Sequence, residues 1–242
     1  MPEWIDKLVA DFNTAFVVDN RWKYLVEGVQ NTLILTFFAL ILGVVLGVVI
    51  AAIRTTYDKQ YASMRKGFGK GLLAVGNLIS KIYLTVIRGT PAMVQILIIF
   101  FIIMASSDNK MLCGIISFGV NSGAYVAEII RGGIMSIDEG QTEAGRSLGF
   151  GYIPTMGYIV LPQAFKNILP ALANEFIVLL KETAIAGYVG VTDLTRGANI
   201  IRGITYQSLF PLLAIAVIYL VMVMFFTWLV GILERSLRKN ER

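Results

Sequence analysis

Two long stretches without a charged residue constrain this chain more than any other feature of its sequence. Residues 33–53 and 209–232 are almost entirely apolar. A helix needs about 20 apolar residues to cross the hydrocarbon of a bilayer, and both stretches reach that length. A helix also pairs its backbone amides within itself, as lipid requires. The sequence therefore predicts an all-α integral membrane protein, in which Gly43 and Gly47 favour close contact between two helices.

Two further membrane-spanning helices are predicted after the first stretch. Residues 112–130 are long and apolar enough by themselves. Residues 82–104 reach the required length only if a single helix includes Arg88 and continues, with a kink, through Pro91. The whole chain is 15% charged, whereas a soluble domain carries about 25%, which agrees with lipid as the main solvent.

The fourth span in chain order, residues 169–189, differs from the others because it carries charge. It contains Glu175, Lys181 and Glu182. Ionisable groups at membrane depth are costly and normally face a protein interior or a wet pathway. The sequence thus predicts five transmembrane helices within a membrane domain of residues 25–242, with polar groups inside the fourth of them.

The distribution of basic residues between the predicted loops sets the orientation. Lys and Arg accumulate in cytoplasmic loops, and one side of the predicted topology carries more of them. That side is predicted to be cytoplasmic, with the N-terminus outside and the C-terminus cytoplasmic. The basic residues assigned to it are Arg54, Lys59, Arg65, Lys66, Lys70, Arg131, Arg146, Lys166, Arg235, Arg238, Lys239 and Arg242.

Residues 1–24 are predicted to form an external amphipathic segment. Trp4, Leu8, Phe12 and Phe16 recur every four residues, a spacing that makes one apolar stripe on a helix. Such a helix can lie flat on a membrane surface. A frayed terminus with aromatic residues at these positions by chance is the open alternative.

The cytoplasmic loop between spans three and four, residues 131–168, contains the most specific pattern. Its members are Glu143, Ala144, Gly145, Gly149, Ile159, Leu161 and Pro162. Their spacing resembles the EAA loop of the permeases of bacterial ABC importers, with Gly145 in place of the second alanine. In that family the loop forms short coupling helices that dock in a groove on a cytoplasmic ATPase. The resemblance implies the same role here; an ordinary amphipathic loop helix is the alternative.

Three further segments are similar to the permeases for polar amino acids, those for histidine, glutamine and arginine as a group. The first is Arg88-Gly89-Thr90-Pro91 with Gln95, the second is Asn121-Ser122-Gly123-Ala124-Tyr125 with Glu128 and Arg131-Gly132, and the third is Asn174-Glu175 with Lys181-Glu182-Thr183. The resemblance extends over about residues 28–238 and matches no single member of the group.

The charged face of the fourth span is the candidate substrate site. Glu175 and Glu182 fall on one helix face, and Asn174 and Lys181 lie on the adjacent strip. A free amino acid presents an ammonium and a carboxylate, which Glu175 and Lys181 respectively are suited to receive. Related permeases bind substrate midway through the membrane, which implies this role for Glu175. A Glu at this position, where glutamine-type members of the family tend to be uncharged, favours arginine, lysine or histidine as the substrate. A structural pairing of Lys181 with Glu182, or with a neighbouring subunit, remains open.

Arg88, Glu128 and Arg131 are candidate gate residues at the cytoplasmic side. Glu128 and Arg131 are three residues apart and can pair on one helix face. Charged anchors at the membrane edge are the alternative interpretation.

Several chemistries are excluded or disfavoured. The chain has no His and a single Cys, which excludes a Cys/His zinc site and a His general base. Residues 67–71 are rich in glycine but lack the spacing of a phosphate-binding loop, so we expect no cofactor in this chain. ATP and Mg²⁺ would bind a separate ATPase. The net charge of +5 is attributed to cytoplasmic loops rather than to nucleic-acid binding.

The sequence therefore favours the permease subunit of an ATP-driven, binding-protein-dependent importer of L-amino acids in a bacterial inner membrane. Five helices are too few to enclose a solute path, so a second permease, identical or homologous, is expected. A cytoplasmic ATPase dimer and an external amino-acid-binding protein complete the expected assembly. A stand-alone ion-coupled carrier is the alternative, although no internal repeat supports it. A membrane enzyme is disfavoured by the absence of His.

Overall fold

The computed structural model describes residues 2–238, and every regular element among them is helical. The predicted all-α class is therefore confirmed. The helices are α1 Glu3–Phe12, α2 Trp22–Gln60, α3 Phe68–Gly89, α4 Ala92–Ile98, α5 Lys110–Met135, α6 Glu139–Ser147, α7 Tyr152–Thr155, α8 Leu161–Glu182, α9 Leu194–Thr205 and α10 Leu209–Arg238. Short turns of 3₁₀- or π-helix extend several of them at Asn13–Val17, Val18–Asn20, Ile99–Ile103, Met156–Val160 and Thr183–Val189.

Four of the described helices are long and apolar enough to cross a membrane, namely α2, α3, α5 and α10. Helix α8 is not among them, although it covers most of the predicted span 169–189, and its polar groups explain why. The chain also leaves the α-helical conformation at Glu182, before the predicted end of that span.

Helices α2 and α5 form the central pair of the fold. Their axes run in the same direction, because Gly43 faces Ser122 and Gly47 faces Val126. A Cβ atom on Gly47 would lie 2.5 Å from Cγ1 of Val126, which is closer than side-chain atoms approach. Small residues of this kind let two backbones approach within lipid. The close helix contact predicted from the spacing of Gly43 and Gly47 is therefore present.

The predicted continuous helix over residues 82–104 is wrong. Helix α3 ends at Gly89, Thr90 is extended with φ −123° and ψ 150°, and α4 begins after Pro91. The ring of a proline disfavours the helical conformation for the residue before it, which explains the break at Thr90. Helix α3 also begins at Phe68, within the stretch that the sequence assigned to a loop.

Helices α3 and α4 continue in one direction across this break. The early part of α3 lies beside the C-terminal part of α2, where Arg54 donates a hydrogen bond to Asn77. Because α2 and α5 run in the same direction, this part of α3 is level with the C-terminal end of α5. Gln95 of α4 bonds Asn121 of α5, and the turn after α4 packs in the same core cluster as Cys113, close to the start of α5. Helices α3 and α4 therefore run together antiparallel to α5.

The N-terminal helix α1 is anchored to the start of α10. The Asp11 carboxylate accepts a hydrogen bond from Gln207 at 2.9 Å, and the rings of Phe12 and Phe210 lie 5.8 Å apart. Trp4, on the first turn of α1, is 64% exposed. Helix α1 thus has an apolar face that no other described residue covers. It lies beside the start of α10.

The tight α2–α5 contact predicts that Gly47→Ala destabilises the protein. The added methyl group would overlap Val126, and overpacking of this kind costs about 1–3 kcal/mol. Thermal unfolding of the purified protein in detergent should show a lower melting temperature. Gly71→Ala on α3 is the control, since no atom lies within 4 Å of its added Cβ. A Gly47→Ala protein as stable as the Gly71→Ala protein would contradict the packing argument.

Candidate functional site: the α6–α8 segment and the charged groups beside it

Helix α6 is a short helix with defined ends. The Asp138 carboxylate accepts a hydrogen bond from the N–H of Gly140 at 2.7 Å and caps the first turn. After the helix ends at Ser147, Gly149 takes a φ of +83°, a conformation that favours glycine. The N–H of Phe150 then donates to the carbonyl of Gly145 at 3.0 Å. The chain is thereby turned from α6 into α7 within four residues of the end of α6.

Gly145 occupies the position at which the EAA loop has its second alanine. The packing around Gly145 explains why a glycine is found there in this chain. It is the buried residue of α6. A Cβ at this position would lie 2.8 Å from Cγ2 of Thr155 and 3.0 Å from Cδ1 of Ile159. The absence of a side chain lets α6 approach the Met156–Val160 turn that leads into α8. Helix α6 is therefore in direct contact with the turn that leads into α8.

The remaining residues of the loop pattern face outward. Glu143, Ala144, Leu161 and Pro162 are exposed, and Ile159 is half-buried. Large apolar side chains of the same segment are also exposed: Leu148 at 74%, Ile153 at 80% and Tyr158 at 80%. Exposed apolar residues next to charged ones mark a surface that binds a protein or a membrane.

A cleft of about 250 Å³ separates α6 from the C-terminal end of α2. Tyr152 closes one side of it, and burial raises the pKa of its hydroxyl above the usual value. The residues lining the cleft are Asp58, Lys59, Met135, Glu139, Thr142, Glu143, Arg146 and Tyr152.

The three candidate gate residues lie together in a chain of ion pairs. The Arg88 guanidinium lies 3.6 Å from the Glu128 carboxylate, and Arg131 lies 3.4 Å from the same oxygen. Arg131 continues the chain to the Asp58 carboxylate at 3.5 Å. Asp58 was missed by the sequence analysis because it is 73 positions away from Arg131 and belongs to no motif. These ion pairs connect α3, α5 and α2.

Gln95 holds the broken end of α3 against α5. Its side-chain amide nitrogen lies 2.7 Å from the carbonyl oxygen of Ile87 and 3.0 Å from that of Thr90. Its oxygen accepts a hydrogen bond from Asn121 at 2.8 Å. The amide thus satisfies backbone carbonyls that the break leaves without helical partners.

The candidate substrate residues divide between two faces of α8. Glu175 is buried, and its Oε1 accepts a hydrogen bond from the Ser122 hydroxyl of α5 at 2.8 Å. Glu182, on the same face, is half-buried, whereas Asn174 and Lys181 are exposed.

Lys181 and Glu182 form no ion pair with each other among the described residues. The part of the chain that the structure describes also contains no group of three or more His, Cys, Asp or Glu side chains suited to a metal ion.

Comparison with curated proteins identifies relatives of almost the full length of the chain. It is 37% identical over 220 residues to the putative glutamine transport system permease protein GlnP of Rickettsia typhi, covering 90% of this chain and 94% of that protein. It is 34% identical to the arginine transport system permease protein ArtQ of Bacillus subtilis, with the same coverages. The glutamine permease GlnP of Escherichia coli K12 is 35% identical, covering 88% of this chain and 93% of that protein.

Solved structures have the same fold. A crystal structure of an amino acid ABC transporter with histidines superimposes with a TM-score of 0.79 and 40% sequence identity, covering 91% of this chain and 98% of that one. The methionine ABC transporter MetNI, in an inward-facing form, gives a TM-score of 0.73 at 20% identity, which supports the fold alone. Residues 69–239 match the family described as binding-protein-dependent transport system inner membrane component. The chain belongs to that family and is a transporter permease subunit of the ABC-importer type, not an enzyme.

Proposed function

We propose that this chain is the membrane permease of an ATP-driven importer of L-amino acids, with polar or cationic amino acids as substrates. The observation that carries the proposal is the outward-facing α6–α8 segment, which has the spacing of an ATPase-coupling loop on a chain related to amino-acid permeases. The relatives are named for glutamine and for arginine, so the choice between a neutral and a cationic substrate is left to experiment.

Five crossings fit the described helices. Helices α2 and α5 run in the same direction, so the chain between them returns to its starting side, and α3 and α4 together supply one crossing. Helices α8 and α10 supply the other two crossings after α5. An odd number of crossings agrees with an N-terminus outside and a C-terminus in the cytoplasm. The basic residues Lys239 and Arg242, which were assigned to the cytoplasmic side, lie outside the described residues.

The length of α2 supports a cytoplasmic projection of the site. Its 39 residues extend about 58 Å at 1.5 Å per residue, and bilayer hydrocarbon is about 30 Å thick. The end of α2 at Gln60 therefore lies beyond the lipid in this topology, together with Asp58 and α6. At the opposite side α1 would rest on the outer membrane surface, with Trp4 directed to the lipid interface.

The α6–α8 segment is proposed to dock on a separate ATPase. Glu143 and Ala144 are exposed on α6, and the apolar side chains of Leu148 and Ile153 lie nearby on the same segment. Such a mixture of apolar and charged groups suits a protein partner outside the membrane. ATP and Mg²⁺ would bind the ATPase dimer, whose closure would shift this chain between two states of access.

A second permease, identical or homologous, would complete the solute path, because five helices are too few to enclose it. An external binding protein would deliver the amino acid. Within this chain Glu175 is the proposed substrate group, because Ser122 bonds only its Oε1. Oε2 would receive an ammonium or guanidinium group. Asn174, Lys181 and Glu182 complete the proposed polar strip on α8.

The coupling role predicts that Glu143→Lys or Gly149→Asp leaves the protein in the membrane but abolishes ATP-driven uptake. Reversal of charge at Glu143 alters the docking surface, and a side chain at Gly149 strains a backbone with φ +83°. Uptake of radiolabelled glutamine and arginine in proteoliposomes, together with copurification of the ATPase, measures the effect. Glu234→Lys on α10 is the control substitution. Normal uptake by both variants would refute the coupling role.

The substrate role of Glu175 predicts that Glu175→Gln reduces uptake of arginine far more than uptake of glutamine. Loss of a charge-assisted hydrogen bond costs about 1.5–3 kcal/mol, which corresponds to roughly a 10- to 100-fold loss of affinity. Initial uptake rates over a range of substrate concentrations test this. Ser122→Ala serves as the control, because it removes the hydrogen bond to Glu175 and keeps the charge. Equal losses for both amino acids would mean that Glu175 does not select the substrate.

A further inference from the structure

We infer that Asp58, at the end of α2, is a positioning residue that connects the coupling helix α6 to the proposed gate residues Arg88, Glu128 and Arg131. The inference rests on the proposed function, because it assumes that α6 is moved by an ATPase. Asp58 lies outside every motif identified in the sequence, and its proposed role is to connect movement of α6 to the gate residues.

Among the described residues, Asp58 is the one that belongs both to the ion-pair chain and to the cleft. On one side its Oδ2 lies 3.5 Å from Nη1 of Arg131. On the other side it lines the cleft of about 250 Å³ together with Glu143 and Arg146 of α6. A shift of α6 across this cleft therefore changes the charges around Asp58 before it reaches any other gate residue.

The opposite end of the ion-pair chain lies beside the break between α3 and α4. Arg88 occupies the last turn of α3 and pairs with Glu128 at 3.6 Å. The extended residue Thr90 lies two positions after Arg88 and is held by Gln95. The ion pairs thus extend from the cleft beside the coupling helix to the break between α3 and α4.

The network has the properties of a switch with two arrangements. Arg131 and Asp58 are each 29% exposed, and partly exposed ion pairs contribute little to fold stability. The Nε of Arg131 is buried without a hydrogen-bond partner among the described residues, so the present arrangement leaves one donor unsatisfied. Arg146, across the cleft, offers Asp58 a second cationic partner. Closure of the cleft would then exchange Arg131 for Arg146 and release Arg131 toward Glu128.

The test uses the whole transporter complex, purified through this chain and reconstituted in proteoliposomes. Asp58→Asn should keep the bound ATPase and hydrolyse ATP at a normal rate, but the amino acid transported per ATP should fall about fivefold or more, as expected for loss of an allosteric coupling. Asp58→Glu should restore most of the ratio. The probes are radiolabelled glutamine and arginine, and the control is Glu234→Gln on α10.

A double-mutant cycle separates positioning from simple structural damage. Arg131→Gln should lower the transport-to-hydrolysis ratio, and its combination with Asp58→Asn should add little further loss. Additive losses, a lower melting temperature of Asp58→Asn, or loss of its copurified ATPase would overturn the inference. A normal ratio in Asp58→Asn, with uptake abolished by Glu143→Lys, would remove the inference and leave the proposed function intact. Normal uptake in both would remove both.

Discussion

The close approach of α2 and α5 is the contact on which the other arrangements depend. Gly43 and Gly47 remove the side chains that would otherwise separate the two backbones, as the 2.5 Å distance from a Cβ on Gly47 to Val126 demonstrates. In lipid no hydrophobic effect holds two apolar helices together, so this packing supplies the association. The same register brings Asp58, near the end of α2, to Arg131 of α5.

Much of the architecture could be predicted because lipid restricts a chain to few solutions. The charge-free stretches 33–53 and 209–232 lie within α2 and α10 as expected. The stretch 82–104 could not be assigned correctly from hydropathy, because two apolar helical segments on either side of a break have the same hydropathy as one long helix. The conformational preference of Thr90 before Pro91 was the available clue, and it indicates a break rather than a kink.

The site was predictable where residues are close in sequence and not where they meet through folding. Glu143 and Gly149 are recognisable by spacing alone, and Gly145, the departure from the family pattern, is explained only by its contact with Thr155 and Ile159. Asp58 had no local pattern, because its partner is on another helix. Asp58 and Lys59 are adjacent charged residues, and the sequence alone does not show which of the two side chains faces α5.

Charge is used differently at the two ends of the proposed pathway. Glu175 is buried and bonded to Ser122, which fixes its position, and its remaining oxygen is the atom that we propose selects a ligand. Asp58 and Arg131 are partly exposed, so water compensates the charge of each when their ion pair breaks. A buried pair would resist exchange because breaking it leaves an uncompensated charge. Partial exposure would therefore allow the proposed exchange of partners at Asp58 within one transport cycle without unfolding the helices that carry these residues.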